Sequence, residues 1–197
     1  QRIKTVEENR YWLDFAIEKK ADFLAMDLAD NELAVGPAPF VPLFEKAKSE
    51  GFAVTIHAGE AEGPQAARNI RDSIELLHAD RIGHGVRILE DRDVLEFVRK
   101  RGTVLELCPT SNWLSGVCPT RESHPFRSIM EAGIRTTVNT DDPGIKSGAT
   151  FAAAGMQIAG GVPLQCDEGD DFSTFRLGLF GLDKLHNVAR TVASLDS

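Results

Sequence analysis

The sequence predicts an α/β fold built on a parallel sheet. Three observations carry that expectation. Short apolar runs of strand length alternate with longer segments of helical periodicity. The runs recur every roughly 20 to 32 residues, which leaves room for the helical crossover that parallel strands need. They are nearly continuous in apolar residues, as when both faces of a sheet are covered.

The elements follow in order. Val6 to Lys20 carries Val6, Leu13 and Ile17 at helical offsets, with charges between them. Phe23 to Leu28 is a short apolar run, read as a buried strand. Pro39 to Glu50 is a helix with Phe40, Leu43, Phe44 and Ala47 on one face and Gly51 as its C-cap. Phe52 to Ile56 is a strand. Pro64 to Leu77 is a helix with Pro in its first turn and Ile70, Ile74 and Leu77 on one stripe. Arg81 to His84 is a very short strand. Asp91 caps a helix running to Lys100, packed by Val94, Leu95 and Val98 and followed by Gly102. Thr103 to Leu107 is a strand, Pro125 to Ala132 a helix stopped by Gly133, and Ile134 to Asn139 a strand. Helices are predicted beyond it over Phe151 to Ala159, Phe172 to Phe180 and Leu182 to Ser194. A doubly wound open sheet and a (β/α) barrel both fit. No G-x-G-x-x-G follows a strand, so the dinucleotide form of the open sheet has no support. Periodicity does not separate the two.

Composition narrows the function. The 197 residues carry 22 Lys+Arg against 30 Asp+Glu, a net charge of −8. That balance argues against nucleic acid as a partner, because phosphate binding rests on Lys and Arg. No apolar run approaches the roughly 20 residues of a membrane helix, and the start does not read as a signal peptide. Three cysteines without C-x-x-C spacing make no disulfide framework and point to a reducing, cytoplasmic setting. Cys108, Cys118 and Cys166 read as core or loop thiols. The acidic run 166–171 reads as a surface loop. The sequence sets no oligomeric state.

The informative residues are polar groups at the C-terminal ends of strands. They are His57-Ala58-Gly59-Glu60, Gly83-His84-Gly85, Cys108-Pro109-Thr110-Ser111-Asn112 and Asn139-Thr140-Asp141-Asp142-Pro143-Gly144. In parallel α/β proteins that edge holds the site. Taken singly, each has a bland reading. His57 fits a core imidazole, Glu60 a helix-approach carboxylate and Asp141-Asp142-Pro143-Gly144 a turn. Glycines on both sides of His84 allow a close backbone approach or relieve crowding around an inward side chain. Two adjacent carboxylates ending an apolar strand need a cation or donors to offset repulsion and desolvation. Together, two imidazoles and a carboxylate pair suit a divalent transition metal such as zinc. Glu60 is then left to move protons, and the set describes a metal-assisted hydrolase. His78 reads as a helix-end imidazole, His124 as a capping or supporting residue and His186 as surface. Trp12 reads as a packing residue, and so does Trp113 unless it lines a pocket.

In this order and at these intervals, the four motifs resemble the adenosine deaminase family of metal-dependent hydrolases. The match is clear from about Asp27 to Gly144. The resemblance implies a (β/α)8 barrel with one zinc at its C-terminal mouth. It implies that His57 and Asp141 are zinc ligands and that Glu60 protonates the purine ring nitrogen beside the attacked carbon. It implies that His84 orients and helps activate the attacking water, and that Asp142 hydrogen-bonds the imidazole edge of the purine. The reaction implied is hydrolytic deamination of adenosine to inosine and ammonia. Adenine, adenosine monophosphate or a modified purine nucleoside is the alternative substrate.

Two departures from the family pattern stand out. The family brings two more zinc ligands as His-x-His on its first strand, and none of His57, His78, His84, His124 or His186 forms such a pair. The family also has a glycine after its Asp-Leu-Ala strand end, with its backbone against the purine, and Asp30 is read at that place. Five strands are counted against the eight of a barrel, which runs to about 250 residues. Residues 1–197 are therefore expected to be one partial barrel domain, about strands four to eight, with three strands upstream of Gln1. The isolated chain is expected to be inactive, and an inactive remnant is the third reading.

Overall fold

A capping box opens the first helix. The Thr5 hydroxyl accepts from the Glu8 amide while the Glu8 carboxylate accepts from the Thr5 amide. The computed structural model describes residues 1–141 and the backbone of 159–160 and 175–176. The sheet and its helices lie within Gln1–Thr140. In chain order they are α1 (Val6–Glu18), β1 (Ala25–Leu28), α2 (Val41–Ser49) and β2 (Ala53–Ala58). Then come α3 (Ala66–Leu76), β3 (Arg81–His84), α4 (Arg92–Arg101) and β4 (Val104–Leu107). The last are α5 (Pro109–Leu114), α6 (Phe126–Glu131) and β5 (Thr136–Val138). Short 3-10 turns precede α2 and follow β3.

The strands pair in parallel in the order β1-β2-β3-β4-β5, each beside its sequence neighbour. A doubly wound sheet reverses that order at a switch point. Among the described strands there is no reversal, so the topology is that of a (β/α) barrel segment. Leu28, Ile56, Ile82 and Leu105 stand in one register row, each at most 2% exposed. Ile70 and Ile74 of α3 and Val94 and Val98 of α4 join the same core. Burying each such side chain is worth about 1.5–3 kcal/mol, which holds strands of three to six residues in place. The opposite face of the sheet is polar. Thr55 donates to Glu106, which also pairs with Arg81, and Arg81 reaches Thr137. The alternation of period two therefore divides an apolar face under the helices from a polar face.

Two expectations change. Residues 109–114, for which the sequence predicts no element, form α5, with Pro109 at its first position, where a missing N–H costs nothing. Within Asp141–Ser197, Ala159–Gly160 (β6) and Phe175–Arg176 (β7) pair antiparallel. Phe175 and Arg176 fall inside the expected helix Phe172 to Phe180, and Ala159 ends the expected helix Phe151 to Ala159. Strand pairing overrides weak helical periodicity at these positions. The rest of those helices, and Leu182 to Ser194, lie outside the described residues. Among the described residues, no helix is long and apolar enough to cross a membrane.

Candidate metal and proton-transfer site

His57 stands on the polar face of β2. Its Nδ1 lies 2.9 Å from one carboxylate oxygen of Asp27 and 3.1 Å from the other, with Asp27 on the neighbouring strand β1. A carboxylate there holds the proton on Nδ1 and leaves Nε2 with its lone pair, the arrangement of a metal-ligating imidazole. Behind it, the buried Arg2 guanidinium donates to the carbonyls of His57 and Val35, each at 2.9 Å. Burial holds the Arg2 pKa below its ordinary value, against the pull of Glu32, Asp27 and Asp30.

His84 ends β3. Strict alternation would put it on the apolar face with Ile82. Instead its backbone turns left-handed, at φ 64°, and its ring centroid comes to 5.0 Å from that of His57. The flanking glycines make this possible. A Cβ on Gly83 would meet the His57 ring at 3.2 Å, and one on Gly85, at φ 71°, would meet Leu105 at 2.9 Å. His84 is buried, at 1% exposed.

Glu60 follows the end of β2. The loop that carries it is pinned by another carboxylate, Glu32, which is 5% exposed. Glu32 accepts from the amides of Gly59, Glu60 and Ala61 at 2.8–2.9 Å and from the Asn69 side chain at 3.0 Å. Charged acceptors of this kind make the stronger hydrogen bonds. The Glu60 carboxylate accepts from the Asn112 side chain at 3.0 Å and lies 3.5 Å from His84 Nδ1. Asn112 is fully buried on α5 and also contacts His84 Nδ1 at 3.1 Å and His124 Nε2 at 3.1 Å. The His124 imidazole lies below its ordinary pKa, first because it is buried and second because His84 is near.

The ligand atoms of His57, His84 and Asp141 lie within 4.8 Å of one another. Imidazole nitrogen and carboxylate oxygen are donor types that zinc takes. A carboxyl group beside that set can move a proton.

Residues 2–160 match the family model described as adenosine deaminase. The chain belongs to the adenosine deaminase family. The adenosine deaminase of Plasmodium falciparum is 36% identical over 132 residues, which cover 67% of this chain and 35% of that protein. The chain thus spans about a third of the length of this curated relative. An adenine deaminase structure from Arthrobacter aurescens is similar at TM-score 0.68 and 31% identity, covering 72% of this chain and 42% of its own. An amidohydrolase from Burkholderia ambifaria, solved with bound Zn, gives 0.63 and 29%, covering 72% of this chain and 40% of its own.

The structure thus brings together four of the six residues read from the motifs, His57, His84, Glu60 and Asp141. Asp142 lies outside the described residues. Asp30 is exposed and takes φ 92°, a conformation that favours glycine. Its carboxylate accepts from the Asn31 amide at 2.8 Å. Asp27, Glu32 and Arg2 were not singled out in the sequence. An acid inside an apolar strand was the one available signal, at Asp27. Glu32 and Arg2 carry none, because their partners are backbone groups 27 and 55 residues away. His124 Nδ1 accepts from the Phe126 amide at 3.1 Å at the start of α6. Cys108 and Cys118 are buried, and burial raises the Cys118 pKa. Trp113 stacks under the Arg121 guanidinium at 4.3 Å. Trp12, at 46% exposed, packs edge-on to Tyr11 and Phe15.

Proposed function

We propose that this chain carries the proton-transfer half of a zinc-dependent aminohydrolase that converts adenosine to inosine and ammonia. The observation that carries the reading is the contact of the Glu60 carboxylate with Asn112 and His84, beside the His57 and Asp141 donors. His57 and Asp141 would hold the zinc. The ion, when bound, is a Lewis acid that makes water a nucleophile near neutral pH.

The chain's own residues do the rest. His84 orients the attacking water. Glu60 gives a proton to the purine ring nitrogen beside C6 as the water oxygen bonds to C6, which removes aromatic resistance to addition. One proton of the water passes to the exocyclic amine, the C6–N bond breaks as its electron pair leaves with ammonia, and the other proton of the water restores the Glu60 carboxyl group. Asp30 meets the base through its backbone amide, and Asp142 holds the imidazole edge of the purine; the family resemblance supports both roles.

The second reading changes the substrate to adenine. The structural neighbour named as an adenine deaminase favours it, at 31% identity. The test is a panel of adenosine, adenine and adenosine monophosphate given to the full-length protein that carries this chain. Glu60→Gln in that protein should lower kcat by about 10²–10⁴-fold, the usual weight of a general acid. Turnover at the parental rate in Glu60→Gln would sink the role given to Glu60. Adenine turned over faster than adenosine would favour the second reading.

A further inference from the structure

The supports of the Glu60 and His84 side chains are themselves ordered by hydrogen-bond direction. The Phe126 N–H donates to His124 Nδ1 at 3.1 Å, so that nitrogen carries no proton. The single proton of a neutral His124 then sits on Nε2 and is donated to the Asn112 carbonyl oxygen at 3.1 Å. That bond sets the orientation of the Asn112 amide. Turned over, the amide would aim its NH2 group at the His124 N–H and its oxygen at the Glu60 carboxylate. As it stands, the two hydrogens of Nδ2 serve two acceptors, Glu60 Oε1 at 3.0 Å and His84 Nδ1 at 3.1 Å.

We propose that His124 is a positioning residue which, through the Asn112 amide, holds the Glu60 carboxylate and fixes the proton of His84 on Nε2. All three members of the relay behind Glu60 are buried: Asn112 at 0%, His84 at 1% and His124 at 8% exposed. Water therefore has little access to compete for these bonds, and an orientation set at one end is transmitted to the other. The depressed pKa of His124 agrees with its neutral form.

The consequence is chemical. A His84 with its proton on Nε2 and its Nδ1 lone pair engaged presents a donor to its surroundings. It orients an oxygen by donating to a lone pair, and it has no second lone pair for a metal. Of the three clustered donors, His57 and Asp141 are then left to the ion. This part rests on the function proposed above.

The experiment uses the full-length, zinc-loaded protein with His124→Phe, His124→Gln and Asn112→Asp. Phe fills the ring's space but cannot donate, whereas Gln keeps an N–H donor. The first readout is the pair of imidazole ¹⁵N shifts of His84 in the resting protein, which report the tautomer directly. In His124→Phe the His84 proton should redistribute toward Nδ1. The kcat for adenosine should fall about 10–100-fold, as when an outer support of a site is lost, with KM and zinc content unchanged. His124→Gln should recover most of both. Should His124→Phe fail to fold, Asn112→Asp serves, since it is isosteric and removes both donors.

An unmoved His84 tautomer with undiminished kcat in the donor-less variants overturns the proposal. So does a loss of kcat that follows loss of zinc. The tautomer readout needs no turnover. A shifted tautomer in a protein that deaminates none of the purines refutes the assigned reaction and supports the positioning role.

Discussion

Asp27 and His57 face each other across adjacent parallel strands, with carboxylate oxygen and Nδ1 2.9 Å apart. The pair decides which imidazole nitrogen keeps its lone pair. Asp27→Asn preserves the shape but weakens the acceptor and allows the other tautomer. Zinc affinity should fall about 10–100-fold, the usual cost of losing such a partner. Competition against a chelator of known affinity measures it. Unchanged affinity would mean that His57 is not oriented by Asp27 in the folded protein.

Glu32 is the anchor of the Glu60 loop. Glu32→Gln keeps the length but removes the charge, and it turns one acceptor into an NH2 group facing an amide N–H. Hydrogen bonds to a charged group are worth about 1.5–3 kcal/mol. Urea unfolding should therefore show a loss of at least about 2 kcal/mol, with kcat reduced. A shift of the urea midpoint within error would show that the three amides find other acceptors.

Asp30 holds a left-handed backbone at φ 92°. An L residue there costs about 1–2 kcal/mol, partly offset by the Asn31 hydrogen bond. Asp30→Gly should stabilise the protein by about 0.5–1 kcal/mol at unchanged m-value, after allowing for the greater chain entropy of glycine. Destabilisation would show that the Asp30 side chain contributes more than its backbone strain costs.

His124 makes stability depend on pH. Burial lowers its folded pKa below the ordinary value of about 6.5. In the window below about pH 6.5 the unfolded chain binds a proton that the folded protein resists. Its contribution is therefore complete above that window and is lost as the pH falls toward the folded pKa. Urea midpoints at about pH 7.5 and 5.5, compared between the parent and His124→Gln, isolate the effect. The parent should lose more stability on acidification than the variant, and equal losses would remove His124 as the cause.

Much of the site was legible because its residues are local to motifs. His57 and Glu60 lie three apart at one strand end, and Gly83-His84-Gly85 announces a crowded turn. The fold class was legible from period and spacing, since apolar runs of strand length recur at crossover distances. What lay hidden depends on contacts between distant segments. Asn112 was visible only as part of a motif, and its role arose once α5 carried it against Glu60, 52 residues away. Glu32 carried no signal in the sequence, and the fold brings three amides to it.

The sequence alone determined an α/β chain with two imidazoles and a carboxylate pair at strand ends, because side-chain chemistry and periodicity are properties of neighbouring residues. It left the open sheet and the barrel level on periodicity. The tertiary structure decided between them through strand order, a property of which strands pair rather than of what each contains. It also decided the directions of the hydrogen bonds that support His57, Glu60 and His84, because direction depends on which distant donors and acceptors burial brings together.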